Sequence, residues 1–445
     1  INQKIKFLMK DFVNNKDSDL MWELINRLFP IYRCLMNSGV KKSLEIIKEY
    51  IDLSIKKYPS GQEVYDWKIP DAWEVDRAYI ADMKGNKIID FEDNTLHLAA
   101  YSCPFEGVIM GSELRKHIAS LPDMPKAIPY RTLYYKENKW MFCMAHESLY
   151  KILDNQRYKV VIDSTLKPGN LYIGDYYLPG KSKKEIWITS YICHPSLAND
   201  NLSGVVTAVS TILALSKIKD RTYSYRLLIW PESIGALTYL SNNKNMLNDV
   251  KGGYVLTCCG DTGDITYKKT RAGDSVFDLA ATHAIRHNGK TDDRVRDFWL
   301  NGSDEQKLNA PGIRMEFGSF MRTPYSEFPE YHTSDDTLNF IKQEKLLDTL
   351  NHVITSLYII DRNDVFSENY IGEPFLSKYN LHRQVDLKNP DHHSLAYIQR
   401  LLIMEIDGTT SLLDIAEKWN YNFMEIYEEF DRLYSAGIFK KIYVD

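Results

Sequence analysis

Histidine, aspartate and glutamate recur in this sequence at places where an apolar run stops. The stretch "IWITSYICHPSLANDNLSG", residues 186 to 204, reads as a buried strand ending near His194, with Asp200 six residues later. Glu232 follows directly on "YRLLIWP". The vicinal pair Cys258 and Cys259 closes "GYVLTCC", ahead of "GDTGD". Further on stand Asp304 and Glu305 in "GSDEQ", and His332 in "EFPEYHTSDDT", before an expected helix N-cap at Thr333 or Ser334. Two histidines and one carboxylate are a donor set that suits zinc with an open water position. A glutamate beside such a water can take its proton, which is a recipe for amide hydrolysis. Each residue alone has an ordinary structural reading. His194 can be a loop residue, Asp200 a helix cap, and Glu232 a charge favoured at a helix N-terminus.

The elements that must position these residues are legible in outline. Residues 1 to about 58 alternate apolar and charged positions, as in "SLEIIKEYIDLSIKKY", which predicts helix. From 61 to 165 the segments are short and punctuated by turns such as "MKGNK" and "KENK". Strands are expected at "RAYIADM", "TLHLAAY", "IPYRTLYY" and "MFCMA", with one helix near "SELRKHIASL". From 166 to 378 apolar strands alternate with helices, which predicts a mostly parallel α/β sheet. Ligands of such sheets bind at the carboxyl ends of the strands, where the suspicious residues fall. Residues 379 to 445 read as helix, turn, helix, helix and a short strand, a winged-helix-like pattern.

Composition narrows the function classes. The chain has 445 residues, 44% of them apolar, and a formal net charge of −5. No window holds the ~18 apolar residues of a membrane span. The opening "INQKIKFLMKDFVNN" lacks the apolar core and cleavage site of a signal peptide. Six cysteines without CxxC pairs suit a reducing compartment, so a cytoplasmic location is expected. The tail from 379 onward carries seven Lys or Arg against eleven Asp or Glu. That balance repels phosphate and argues for a protein partner or self-association, not nucleic acid.

Taken in order, "NDNLSG", "PESIG", "GSDE…PGI" and "YHTSDDT" resemble the co-catalytic zinc aminopeptidases of clan MH over roughly residues 166 to 360. The whole chain resembles a narrower group of bacterial aminopeptidase-like proteins with an inserted β-domain ("DWKIPDAW" is similar to its opening) and a C-terminal winged helix. The resemblance implies that His194 and His332 are metal ligands, Asp200 the metal-bridging carboxylate and Glu232 the general base. It implies a catalytic unit of residues 1–60 and 166–378, an insert of 61–165 and a tail of 379–445. This chain departs from the pattern at three positions. Ser233 replaces the second glutamate, Ser196 an orienting aspartate, and Cys258 or Cys259 the other aspartate ligand. Three protein ligands suffice for one zinc and are a poor shell for two, so one ion is expected. A Cys259 thiolate is the means by which a second could be held.

Around the ion, Arg322 or Tyr331 is a candidate for stabilising an oxyanion. Tyr325 lies in the same string, and Glu305, Glu327 or Glu330 could receive a substrate ammonium. Asp304 can belong to the substrate site or pair with Arg271. The function expected is zinc-dependent hydrolysis of an amide bond by an aminopeptidase-like exopeptidase on a peptide or other small amide. The alternatives are a deacylase of a non-peptide amide such as an acylated amino sugar, and an inactive peptidase fold serving as a binding module. A retained Glu232, which is no ligand, argues for an enzyme.

Overall fold

The computed structural model describes residues 12–289, 292–384 and 394–442. The opening run 1–11, expected to begin the helical N-terminus, and residues 385–393 of the tail lie outside the described residues. Helices α1 (Asn15–Leu28) and α2 (Ser38–Lys48) start at asparagine caps, Asn14 and Asn37, whose side chains accept helix N–H groups. The helical pattern expected to run on to residue 58 stops at Lys48. Ser54–Pro59 is instead strand β1, an edge strand pairing antiparallel from Ser54↔Asp175 to Pro59↔Asn170. Tertiary pairing overrides a short ambiguous period here, and Pro59 is tolerated because the strand lies at an edge.

The next segment builds a separate antiparallel sheet from β2 (Ala72–Asp82), β3 (Lys87–Asp90), β4 (Phe105–Met110) and β5 (Arg157–Lys167), in the order β3-β2-β5-β4. Three expectations fail locally. Thr95–His97 is a single 3₁₀ turn capped by Asn94, and "SELRKHIASL" yields only the short helix Gly111–Leu114 and a 3₁₀ turn. "IPYRTLYY" forms no named strand; it contributes isolated bridges, Ala100 to Thr132 and Pro129 to Thr333. The second bridge ties the insert to the loop that carries His332.

The main sheet has eight strands. Its members after β1 are β6 (Asn170–Leu178), β7 (Glu185–Tyr191), β8 (Ser224–Trp230), β9 (Val250–Leu256), β10 (Thr266–Lys268), β11 (Val295–Arg296) and β12 (Phe317–Met321), in the order β1-β6-β8-β7-β9-β12-β10-β11. The four central strands β8, β7, β9 and β12 are parallel. Every residue of β7 is buried, as a strand covered on both faces requires. Ile186 and Ile188 face one core, with Leu24 of α1, Val205 of α3 (Gly204–Ser216) and Ile354 of α6 (Gln343–Arg362), while Trp187 and Tyr191 face another, with Tyr239 of α4 (Ile234–Asn242) and Trp73 of the insert. Helix α5 (Val276–His287) packs beside α6 and donates Phe277 to the first core.

The tail comprises β13 (Phe366–Glu368), α7 (Leu395–Glu405), α8 (Leu412–Trp419), α9 (Phe423–Ser435) and β14 (Phe439–Lys441), with β13 and β14 antiparallel. The wing's first strand therefore precedes residue 379. Capping side chains of Ser394, Ser411 and Asn422 start the three helices. The tail is fixed to the body: the Phe423 N–H donates to His283 Nε2 of α5 at 2.9 Å, and Glu417 of α8 accepts from His283 Nδ1 and, at 2.6 Å, from Arg286. Tyr427 meets Tyr358 of α6 at 6.1 Å between ring centroids. The start of α9 is thus spent on packing. Among the described residues no helix is long and apolar enough to cross a membrane.

Candidate metal centre and cleft

The carboxyl ends of β7, β8 and β12 converge on one point. The chain leaves β7 through a buried loop that turns at Ser196 (φ +45°) and enters α3 through an irregular turn, so Asp200 is no simple helix cap. His194 Nε2 lies 3.7 Å from Asp200 Oδ2, and His332 Nε2 lies 3.0 Å from the same oxygen. Ligand atoms of all three residues fall within 4.8 Å of one another. Asp200 has 0% exposure; its Oδ1 accepts from the Tyr191 hydroxyl at 2.5 Å. Its Oδ2 and His332 Nε2 are buried without a hydrogen-bond partner. Burial by itself would raise the Asp200 carboxyl, but His194, His332 and Tyr191 together hold it down at about 2. Burial depresses His194 to about 4 against the opposing pull of Asp200. An anionic carboxylate and a neutral imidazole are the forms that bind metals.

These residues fit a single zinc. Donors held about 2.0–2.2 Å from one ion lie roughly 3–4 Å apart, and the two orphaned polar atoms face each other within that span. A second group of close donor atoms, Cys193, His194 and Glu232, shares His194 with this one and so adds no independent site beside it. The Cys259 Sγ points at the carbonyls of Thr257 and Phe320, and burial pushes its thiol up to about 12. Cys258 packs with Met321, Tyr325 and Phe328. Among the described residues neither belongs to a group able to hold a metal; the role envisaged for Cys259 is therefore corrected. The cysteine that approaches the centre is Cys193. Its Sγ accepts the Glu232 N–H at 3.2 Å and sits 3.6 Å from His194 Nδ1, while burial raises its pKa and keeps it a thiol.

Glu232 follows Pro231 at the end of β8. Its Oε1 accepts from Ser303 Oγ at 2.8 Å and its Oε2 lies 3.9 Å from His194 Nε2. Burial, then the charge of Asp200, raises its proton affinity. Ser233, at φ +62°, donates its N–H to Asp304 Oδ1 at 2.7 Å, and Trp230 Nε1 donates to Asp304 Oδ2 at 2.7 Å. Asp304 is consequently a buried support for the Glu232 turn, with no partnership with Arg271. A cleft of about 350 Å³ opens beside Glu232, lined by Tyr191, Asn301, Ser303, Gln306, Tyr325 and Tyr331.

The other expected site residues divide. Tyr331 lines the cleft and stacks on His332, 3.9 Å between centroids at 14°. Tyr325 also lines it, donating its hydroxyl to Glu305 at 3.0 Å. Glu305 is fully buried and bonded to Lys268 Nζ at 2.7 Å, which corrects its expected exposure to substrate. Arg322 lies outside the cleft lining: it is buried, donating to the Gly263 carbonyl at 2.7 Å and to Asp348 at 2.8 Å. Glu327 pairs with Arg296. Glu330 is half-buried, and its carbonyl accepts from Thr333 N–H at 3.1 Å. No helix starts at Thr333 or Ser334; α6 begins at Gln343. Sequence reasoning missed Asp336, whose carboxylate accepts the N–H groups of Asn199 at 2.6 Å and Asp200 at 2.8 Å and so joins the two ligand loops. The run "SDD" after His332 was its only signal.

The mixed sheet with its flanking helices is the fold of the zinc aminopeptidases. BSAP, a zinc aminopeptidase from Bacillus subtilis, shares it with a TM-score of 0.58 at 14% identity, over 77% of this chain and 94% of that one. The chain belongs to the family described as a domain of unknown function (DUF4910), which matches residues 22–363, and residues 364–441 match a winged helix-turn-helix family. A Clostridium acetobutylicum protein, provisionally named as a polysaccharide biosynthesis protein with aminopeptidase-like domain, is 38% identical over 423 residues, 95% of this chain and 96% of the relative. A crystal structure from Clostridium acetobutylicum, provisionally described as a peptidase, matches with a TM-score of 0.89 at 36% identity, over 99% of this chain and 100% of that one.

One wall of the cleft rests on a buried ion pair. Lys268 Nζ bonds Glu305 and the Asn301 carbonyl, 2.7 and 2.8 Å away, and lies 4.2 Å from the Trp299 ring centre. Gly302 passes so close that a Cβ would run into the Glu305 carboxylate. Lys268→Met strands a buried charge and is expected to destabilise the protein by about 3–5 kcal/mol, with much of the loss recovered on adding Glu305→Gln. Denaturant unfolding checks this; a single variant as stable as the parent would show that the pair does not hold the wall.

Proposed function

We propose that this protein is a zinc-dependent hydrolase of an amide bond, aminopeptidase-like in type. The observation that carries the reading is the orphaned pair of buried donor atoms, Asp200 Oδ2 and His332 Nε2, facing each other beside a carboxylate outside the ligand set. His194, Asp200 and His332 would hold the ion. Zinc bound there would lower the pKa of a coordinated water towards neutrality and polarise the scissile carbonyl. Glu232, kept in place by Ser303 and raised in proton affinity by burial, takes the proton and returns it to the leaving amine. Tyr331 is the candidate donor to the developing oxyanion, since Arg322 is engaged elsewhere.

A second reading, deacylation of a non-peptide amide such as an acylated amino sugar, is favoured by a specific observation. The carboxylates of Glu305 and Glu327 are already bonded within the protein, so of the three candidates for a substrate ammonium Glu330 alone has no such partner among the described residues. The cleft wall of Asn301, Ser303 and Gln306 instead offers hydrogen bonds to a hydroxyl-rich ligand. The Clostridium acetobutylicum relative's name points the same way.

Glu232→Gln keeps shape and hydrogen bonding but cannot accept a proton. Turnover should fall by about 10²–10⁴-fold with zinc content unchanged, whereas His194→Ala, Asp200→Ala or His332→Ala should each lose the metal. Elemental analysis and turnover on reporter amides with and without a free α-amine check this and separate the two substrate classes; zinc loss in Glu232→Gln would make it a ligand. For the tail, the start of α9 docks on the body and the charged residues exposed along α9, Glu428 and Asp431, are acidic, so we infer a role in packing or protein contact. Duplex affinity of the full chain at physiological salt should be negligible, and tight salt-sensitive binding in a titration would contradict this.

A further inference from the structure

The insert reaches the metal centre itself. Its loop 127–134 runs antiparallel to the His332 loop. The Tyr130 N–H donates to the His332 carbonyl at 2.7 Å, the Ser334 N–H to the Ile128 carbonyl at 2.9 Å, and the Ile128 N–H to Ser334 Oγ at 2.9 Å. His332 sits at φ +56°, a conformation uncommon for an L residue. The Tyr130 ring, 5% exposed, stands 5.1 Å from the His332 ring at 84° and 5.2 Å from the His194 ring at 55°, while the two histidine rings are 5.5 Å apart. The same insert grips the other ligand loop: Leu96 and Tyr130 pack on Leu197, and Thr95 Oγ1 meets Ser196 Oγ at 3.1 Å. Outside the insert, Asp336 joins the two loops through the backbone N–H groups of Asn199 and Asp200, and Tyr191 at the end of β7 meets the His194 ring at 5.1 Å; the Tyr130 ring meets both histidine rings.

We infer that the insert is a clamp that completes the metal centre, with Tyr130 as the positioning residue that sets the orientation of His194 and His332. This rests on the assignment of those two residues, with Asp200, as zinc ligands. Residues that orient metal ligands typically account for about 10–100-fold in metal affinity. The clamp explains why a peptidase sheet carries this insert against its strand ends, and why the aromatic is wedged between two imidazoles although its own hydroxyl points to Tyr134 Oη at 3.3 Å.

The test is zinc affinity of the full chain, measured by competition with a chromophoric chelator, alongside far-ultraviolet circular dichroism and thermal melting. Tyr130→Ala should weaken zinc binding about 10–100-fold. Tyr130→Phe, which keeps the ring and loses only the Tyr134 contact, should restore it to within about threefold. Ser334→Ala, which removes one hydrogen bond of the clamp from a half-buried position, should weaken binding by a smaller factor with the fold intact, and keeps the test available if Tyr130→Ala does not fold. Parental affinity in folded Tyr130→Ala or in Ser334→Ala would overturn the clamp and leave the ligand assignment standing. Equal losses in Tyr130→Ala and Tyr130→Phe would also overturn it, because the ring would not be the cause. A parent chain that binds no zinc would overturn the ligand assignment and the clamp together.

Discussion

A carboxylate with no exposure, Asp200, sets the terms for its surroundings. An ionised group withdrawn from water must be paired or bonded to metal, since an isolated charge in an apolar medium is very costly. Tyr191 satisfies one oxygen, His194 and His332 flank the other, and Asp336 fixes the backbone that aims it. Tyr191 closes β7, Asp336 belongs to the loop after β12, and the two histidines come from different strand ends. Holding one charge therefore requires the parallel sheet, both ligand loops and their relative placement.

The chemistry grows from the same constraint. Burial that must be countered at Asp200 is left only partly countered at Glu232, whose side-chain hydrogen bond among the described residues is the one from Ser303 Oγ at 2.8 Å, with His194 Nε2 3.9 Å away. One carboxylate is kept ionised and the other is inclined to take up a proton, within reach of the same histidine. Pushing two neighbouring carboxyl groups apart in this way is how a site separates a ligand from an acid–base group. Asp304 extends the pattern beneath Glu232, where Trp230 and Ser233 occupy its oxygens.

How much of this was legible in sequence depended on the range of the interaction. The buried strands around Trp187 and Trp230 could be read because both faces are covered, and the three tail helices because Ser394, Ser411 and Asn422 cap them locally. His194 and Glu232 could be singled out because each follows an apolar run, and Asp200 and His332 joined them through the order of local strings that resembles the zinc aminopeptidases. Tyr130 could not. It lies in "IPYRTLYY", a string resembling any strand, and gains its place from a loop some 200 residues away in the chain. Asp336, signalled only by "SDD", and Cys193 owe their places to partners distant in the chain, and β1 was misread because its partner strand lies more than 100 residues downstream. Glu305 and Arg322 were overread: their types suit substrate binding, but Lys268 and Asp348 had already claimed them.

The central claim is that one zinc is held by His194, Asp200 and His332 without a cysteine. X-ray absorption at the zinc edge of the purified protein, loaded with one equivalent, tests it most directly. The account predicts a shell of nitrogen and oxygen neighbours at about 2.0–2.2 Å, with outer-shell scattering from two imidazoles and no sulfur. Sulfur at about 2.3 Å would contradict it, placing Cys193 or Cys259 on the metal in place of one of the three residues assigned.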